Sequence, residues 1–335
     1  MRAWVVRTNG PPDSMRLEEL PQEPAAPGML GIAVAAAAVN FFDVLQVAGT
    51  YQVRAELPFI PGAEVAGTVQ EAPPGGRLSP GDRVMARVSP AGLVRGGYAE
   101  YTQARPEDTV RLPDTIPFAE AAAFFINYQT GWFGLHRRAA LQAGEVLLVH
   151  AGAGGVGSAA VQLGKAAGAR VIATAGSSEK VEVCRRLGAD LAINYREQDF
   201  VQAVKEDTAG RGADVIYDPV GGDVFDASTK CIAFEGRLVS VGFTSGRVPE
   251  LRANHVLIKN YSVLGLHWGL YPERRPELVE QCTQELFRLY QAGRIRPLVS
   301  RQQPLEEAAI ALAAVASRRT VGKVVLLTSA VPSST

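Results

Sequence analysis

Apolar and polar positions change rhythm twice along this chain. From about Phe118 to Gly265, short apolar runs alternate with segments of helical period, the pattern that βαβ units around a parallel sheet produce. The runs predict strands at 146–150, 170–174, 191–194, 214–217, 238–241 and 262–264. Between the first two, Val156, Ala160, Leu163 and Ala167 recur at helical spacing, and between the next two Val181, Cys184 and Leu187 do so; each crossover carries a helix. The first hundred or so residues predict an irregular, mostly β domain, in which runs such as 31–39 and 64–69 are broken by Pro and Gly clusters. Beyond Gly265, three elements are expected to return to that first domain. They are a helix carrying Leu278, Cys282, Leu286 and Leu289, a helix opened by Pro304-Leu305-Glu306-Glu307, and a closing strand at 323–327. The expected organisation is therefore a doubly wound α/β unit, 125–265, inserted in a mostly β domain made of 1–124 and 266–335. The segment 329–335 is expected to fray.

Composition narrows the function classes. With 335 residues the chain suits two domains, and its 34 basic and 34 acidic residues cancel. No global field then attracts nucleic acid, an anionic membrane or an acidic partner, so recognition must be local. Cys184, Cys231 and Cys282 lie far apart, without the spacing of a zinc ribbon or a disulfide framework, which fits a reducing compartment. Neither a signal peptide nor a run of membrane-spanning length is legible, and the expectation is a soluble, cytoplasmic protein acting on a small molecule.

The stretch HAGAGGVG, His150 to Gly157, lies between a predicted strand and a predicted helix. Gly152, Gly154 and Gly157 satisfy G-x-G-x-x-G, which permits a tight turn, close approach of backbone to a pyrophosphate, and close packing of helix on strand. Together with Gly155 and Val156 they would offer backbone amides at a helix N-terminus to the phosphates of a dinucleotide. An NAD site places an acidic residue roughly 20 positions further on, to hold the ribose 2′-hydroxyl. Here the second strand ends in Ala175-Gly176-Ser177-Ser178, with no carboxylate in that position. Ser177, Ser178 and Lys180 instead supply hydroxyls and a cation suited to a 2′-phosphate, which points to NADP(H); a lysine that merely solvates the helix is the alternative for Lys180.

With these residues in hand, the chain resembles the zinc-free quinone oxidoreductase (zeta-crystallin-like) branch of the medium-chain dehydrogenase/reductase superfamily. The resemblance spans nearly the whole length. It rests on Val39-Asn40-Phe41-Phe42-Asp43, PGAEVAG from Pro61, PGDRV from Pro80, GYAEY from Gly97, the HAGAGGVG loop, DVIYDPVGG from Asp214, and GKVVL from Gly322. It implies a GroES-like catalytic domain split around a Rossmann domain, and commonly a homodimer paired through edge strands, for which 262–264 is the expected edge. It also implies that Lys180 and Tyr195 bind the 2′-phosphate of NADP(H), with Arg318 or Arg319 adding to that site. Thr130, Gly242 and Phe243 are expected beside the nicotinamide half, at strand ends or on a helix facing the ligand; a back-bonded helix hydroxyl is the alternative for Thr130.

Departures from the zinc alcohol dehydrogenases are equally informative. Asn40 stands where those enzymes carry a cysteine, Gly62-Ala63-Glu64 replaces Gly-His-Glu, and the short SPAGLVRGGYAEY replaces the cysteine-rich lobe. Of His136, His150, His255 and His267, none forms a metal-type pair, and no metal site is expected. Hydride transfer without a Lewis acid favours electron-poor acceptors such as quinones and enones. By the resemblance, Asn40, Asp43 and Tyr51 are the catalytic candidates. Asn40 and Tyr51 would donate to a carbonyl oxygen and Asp43 would orient a neighbour or the cofactor ribose, while a lid role for Tyr51 and a capping role for Asp43 stay open. Two rivals remain: an enoyl-thioester or enone reductase on the same scaffold, and a nucleotide-binding protein with an RNA-binding or structural role.

Overall fold

The computed structural model describes residues 1–51, 54–88 and 95–329. These form two compact units, one made of Asn127–Arg296 and the other of Met1–Ile126 with the segment from Pro297 onward. Part of SPAGLVRGGYAEY and nearly all of the terminal segment expected to fray lie outside the described residues.

In the inner unit six strands follow one another along the chain: β1 (Val146–Val149), β2 (Arg170–Ala175), β3 (Leu191–Asn194), β4 (Ala213–Asp218), β5 (Ile232–Ser240) and β6 (Ser262–Gly265). All neighbours are parallel and the spatial order is β3-β2-β1-β4-β5-β6. This is the doubly wound Rossmann arrangement, whose order reverses between β1 and β4 and so opens a crevice at the carboxyl end of β1. The apolar runs read as continuous because the sheet is covered on both faces; β1 is VLLV and buried at every position. Helix α1 (Gly155–Ala166) crosses from β1 to β2 and α2 (Ser178–Arg186) from β2 to β3. Val146, Leu148, Ile172, Ile193, Ile216 and Leu238 share one core cluster.

The helix Pro276–Gln291 also belongs to this unit, and the chain returns to the outer unit at Pro297 instead of 266. Its Cys282 and Leu286 are fully buried, and Thr283 Oγ1 accepts from Gln129 Nε2 at 3.0 Å. An amphipathic stripe announces that a helix must be covered, not which domain covers it.

The outer unit is built on a seven-stranded, largely antiparallel sheet. Its centre is Leu30–Val39, buried at all ten positions, with Glu64–Glu71 antiparallel on one side and Lys323–Leu327 antiparallel on the other. Val34, Val39, Val65, Val84 and Val324 join the main core cluster, against which Leu305, Ala308, Ala311 and Leu312 also pack. The strands expected at 31–39, 64–69 and 323–327 all form, with ends differing by no more than two residues. Among the described residues no helix is long and apolar enough to cross a membrane.

Candidate functional site

The glycine loop of the inner unit meets the requirements of its three glycines unequally. A Cβ on Gly157 would lie 2.1 Å from Ala151 O, and one on Gly152 would lie 2.9 Å from Ala173 Cβ and 3.0 Å from Cys184 Sγ. These two positions are closed by the protein itself. Gly154 is different: the one neighbour of its added Cβ within 4 Å is Ala151 O at 3.2 Å, so the backbone is bare on that side. Gly154 is also the N-cap of α1, with Ser158 N donating to its carbonyl as the first helical bond. The amides of Gly155, Val156 and Gly157 precede that bond and have no partner within the helix, which is the arrangement that receives phosphate. His150 is a buried strut behind the loop, its ring nitrogens 2.9 Å from Thr174 Oγ1 and 2.8 Å from Ser228 Oγ; burial pushes it down to about 3 and keeps it neutral.

At the carboxyl end of β2, three expected cofactor residues come together. Ser177 caps α2, its hydroxyl accepting from Lys180 N at 3.3 Å. Tyr195 N donates to Ala175 O at 3.1 Å, and the Tyr195 hydroxyl lies so close over Gly176 that a Cβ there would be 2.5 Å away. Lys180 is half-buried, and desolvation draws its ammonium below the usual lysine range; Glu179 opposes this and Arg196 reinforces it. Arg196 is thus a second cation at this corner that the sequence reading passed over, although it directly follows Tyr195. Arg318 is exposed and belongs to the outer unit, as does Arg319, whose Nε donates to Ser317 Oγ. Gly242 and Phe243 follow β5 at its carboxyl end, with the Phe243 ring against Gly221. Thr130 is buried on the helix Phe125–Trp132, and among the described residues its hydroxyl makes no back-bond to the helix.

In the outer unit, strand register assembles the other cluster. Val39 pairs with Val324 and Ala38 with Glu64, which sets Asn40 beside Lys323 on one side and Glu64 on the other. Lys323 Nζ donates to Asn40 Oδ1 at 2.5 Å and to Glu64 Oε1 at 2.9 Å. Asn40 Nδ2 donates to the same Glu64 Oε1 at 3.1 Å, and Ile126 N donates to Glu64 Oε2 at 2.8 Å. Glu64 is fully buried and Lys323 nearly so. Asp43, in the first turn of the helix Phe41–Val47, accepts on Oδ2 from Asn40 N at 2.8 Å and from Tyr98 OH at 2.9 Å. Its Oδ1 is buried without a partner among the described residues, and desolvation raises the carboxyl to about 6 against the pull of these donors and of Lys323. Asp43 thus closes a capping box with Asn40 at the start of this helix and also holds the Tyr98 hydroxyl. Tyr51 leans edge-on against Phe42, ring centroids 4.5 Å apart, with desolvation raising its hydroxyl.

Lys323 and Tyr98 were not among the sequence candidates. The signal for Lys323 was present in GKVVL, a lone charge opening an apolar strand. The donor set does not suit zinc. Asn40, Ala63 and Glu64 offer one carboxylate, and a buried ammonium already occupies it. No group of three or more His, Cys, Asp or Glu side chains suited to a metal occurs among the described residues.

Both halves of the chain match known families: residues 26–114 match the alcohol dehydrogenase GroES-like domain, and residues 155–284 match a family described as zinc-binding dehydrogenase. A quinone oxidoreductase-like protein 2 homolog of Nematostella vectensis is 37% identical over 89% of this chain and 81% of its own. Escherichia coli quinone oxidoreductase, solved in complex with NADPH, superposes with a TM-score of 0.89 at 30% identity, covering 98% of this chain and 100% of that one. The CurK enoyl reductase superposes with a TM-score of 0.84 at 27% identity over 98% and 99% of the two chains. The fold and both sites thus define an oxidoreductase of the medium-chain dehydrogenase/reductase superfamily. Within it, the chain belongs to the quinone oxidoreductase-like branch.

Proposed function

We propose that the protein is an NADPH-dependent, zinc-independent reductase of quinones or similar electron-poor, carbonyl-conjugated compounds. The observation that carries this reading is the Lys323–Glu64–Asn40 cluster, where an ammonium stands among the residues that replace a zinc ligand set. Gly154, Gly155, Val156 and Gly157 would hold the pyrophosphate, and Ser177, Lys180 and Tyr195 the 2′-phosphate, with Arg318 as a further contact. Thr130, Gly242 and Phe243 would hold the nicotinamide half. When bound, NADPH supplies the hydride. Asn40 and Tyr51 then orient the acceptor by hydrogen bonds at its carbonyl oxygen, and Asp43 keeps Asn40 in place. The structure in complex with NADPH of the Escherichia coli relative supports the cofactor, and the likeness to an enoyl reductase supports C=C reduction as a second reading.

We also read the molecule as a cytoplasmic homodimer. Its three cysteines are free and buried, β6 is an edge strand, and the adjoining helix Ala253–Lys259 exposes Leu257 and Ile258. The deciding experiment follows NADPH oxidation against a quinone, an enone and an acyl-CoA alkene, before and after exhaustive chelation. Quinone turnover that survives chelation is expected. Preference for the acyl-CoA alkene would establish the second reading, and no turnover on any acceptor would leave a non-catalytic nucleotide-binding or RNA-binding role.

A further inference from the structure

Asn40 is not a free amide. Its Oδ1 receives the Lys323 ammonium at 2.5 Å and its Nδ2 donates to Glu64 Oε1 at 3.1 Å. Reversing the amide would set an NH2 against an ammonium and a carbonyl oxygen against a carboxylate, so the charges of Lys323 and Glu64 permit a single orientation. Among the described residues the second Nδ2 hydrogen has only Ala38 O, at 3.4 Å, longer than an ordinary hydrogen bond, and is the one donor of the amide that remains under-used. A cation on the amide oxygen draws electron density from the nitrogen and strengthens that donor, as linked hydrogen bonds polarise one another. Lys323 is 283 positions from Asn40 and is placed there by the pairing of Val39 with Val324.

We propose that Lys323 is a positioning residue for the reaction, fixing and polarising the Asn40 amide so that its remaining N–H meets the acceptor's carbonyl oxygen. The proposal rests on the reading that Asn40 contacts the acceptor. It assigns Lys323 no contact with substrate; its effect passes through Asn40, while Glu64 supplies the counter-charge that lets the ammonium remain buried.

The test is a double-mutant cycle between Lys323 and Asn40 in the full chain, with NADPH and the best acceptor from the panel. Lys323→Met alone would leave Glu64 as a buried, unpaired charge, so the working variant is Lys323→Met/Glu64→Gln, which removes both charges together. In that background kcat is expected to fall about tenfold or more, with the Kd of NADPH within about twofold of the native value. Adding Asn40→Ala should then cost little more, because the amide has already lost its orientation. If Asn40→Ala is as costly in the Lys323→Met/Glu64→Gln background as in the native one, the two residues act independently and the proposal fails. If Lys323→Met/Glu64→Gln keeps native kcat while Asn40→Ala alone loses it, the proposal fails and the reading of Asn40 stands. If Asn40→Ala alone leaves kcat and KM unchanged, that reading falls and the proposal with it.

Discussion

Asp43 shows how burial turns an ordinary residue type into a pH-sensitive one. Its carboxyl is raised from 3.8 to about 6 because no water reaches it, although Tyr98, Asn40 N and Lys323 all favour the anion. A group raised on folding stabilises the native state fully below its ordinary value and loses that contribution as pH rises through its folded value. Asp43 therefore favours folding below about pH 4 and costs about 3 kcal/mol relative to that by pH 7. Asp43→Asn should gain on the native protein between pH 4 and 7 by an amount of this order, read from urea midpoints at each pH; parallel curves would show that Asp43 does not titrate there. Lys180 belongs to the same scale. If it meets a 2′-phosphate, Lys180→Ala should weaken NADPH binding about tenfold or more and NADH binding hardly at all, the loss expected for one charge-assisted bond. Equal losses by calorimetry would remove the assignment. Lys180 was legible in the sequence because a cation replaced the expected acid after β2. The environment of Asp43 was not, since burial is a property of everything packed around it.

At the scale of elements, the loop between β1 and α1 separates two uses of glycine. Gly157 and Gly152 are closed by protein atoms on contacts of 3.0 Å or less, whereas a Cβ on Gly154, at an ordinary φ of −86°, would meet Ala151 O alone, at 3.2 Å. Gly157→Ala should thus destabilise the fold, by roughly 1–3 kcal/mol or more as overpacking does, with a matching drop in Tm. Gly154→Ala, whose methyl group needs Ala151 O to give by only a few tenths of an ångström, should lose less Tm than Gly157→Ala but bind NADPH poorly, since the methyl group would project where the pyrophosphate approaches. A large Tm loss in Gly154→Ala would mean that the loop needs this glycine for itself. The strand–loop–helix order was plain from the apolar run, the glycine spacing and the helical period, all of which are local. The allegiance of the helix Pro276–Gln291 was not local: Thr283 and Gln129 meet across 154 positions, and Cys282 and Leu286 are buried in the inner unit.

At the scale of the whole molecule, the strongest surface anomaly lies beside β6. Leu257 and Ile258 are 77% and 74% exposed on a short helix with no buried residue, which precedes in sequence a strand that is paired on one edge only among the described residues. Apolar exposure along an unpaired edge is what a symmetric strand-to-strand dimer would cover. Light scattering should find a dimer in solution, and Leu257→Glu/Ile258→Glu should shift it to monomer with the fold intact by circular dichroism. A native monomer would overturn the pairing. The edge position of 262–264 was expected from the resemblance, but the exposed pair on the preceding helix emerged only once the helix had a solvent face.

By itself the sequence determined the parallel sheet with its crossovers, the glycine-rich strand–loop–helix and the missing acid after β2, and its resemblance to a family marked positions 40 and 63 as ones where a zinc enzyme would carry ligands. Periodicity, glycine spacing and substitution at a motif position are carried by neighbouring residues and survive in one dimension. The tertiary structure decided where the chain returns to the outer unit, that Asp43 is buried, and that Lys323 reaches Asn40 and Glu64. These depend on strand register and on what covers each side chain, and a register is chosen by the whole core at once: Lys323 stands beside Asn40 because Val324 falls opposite Val39.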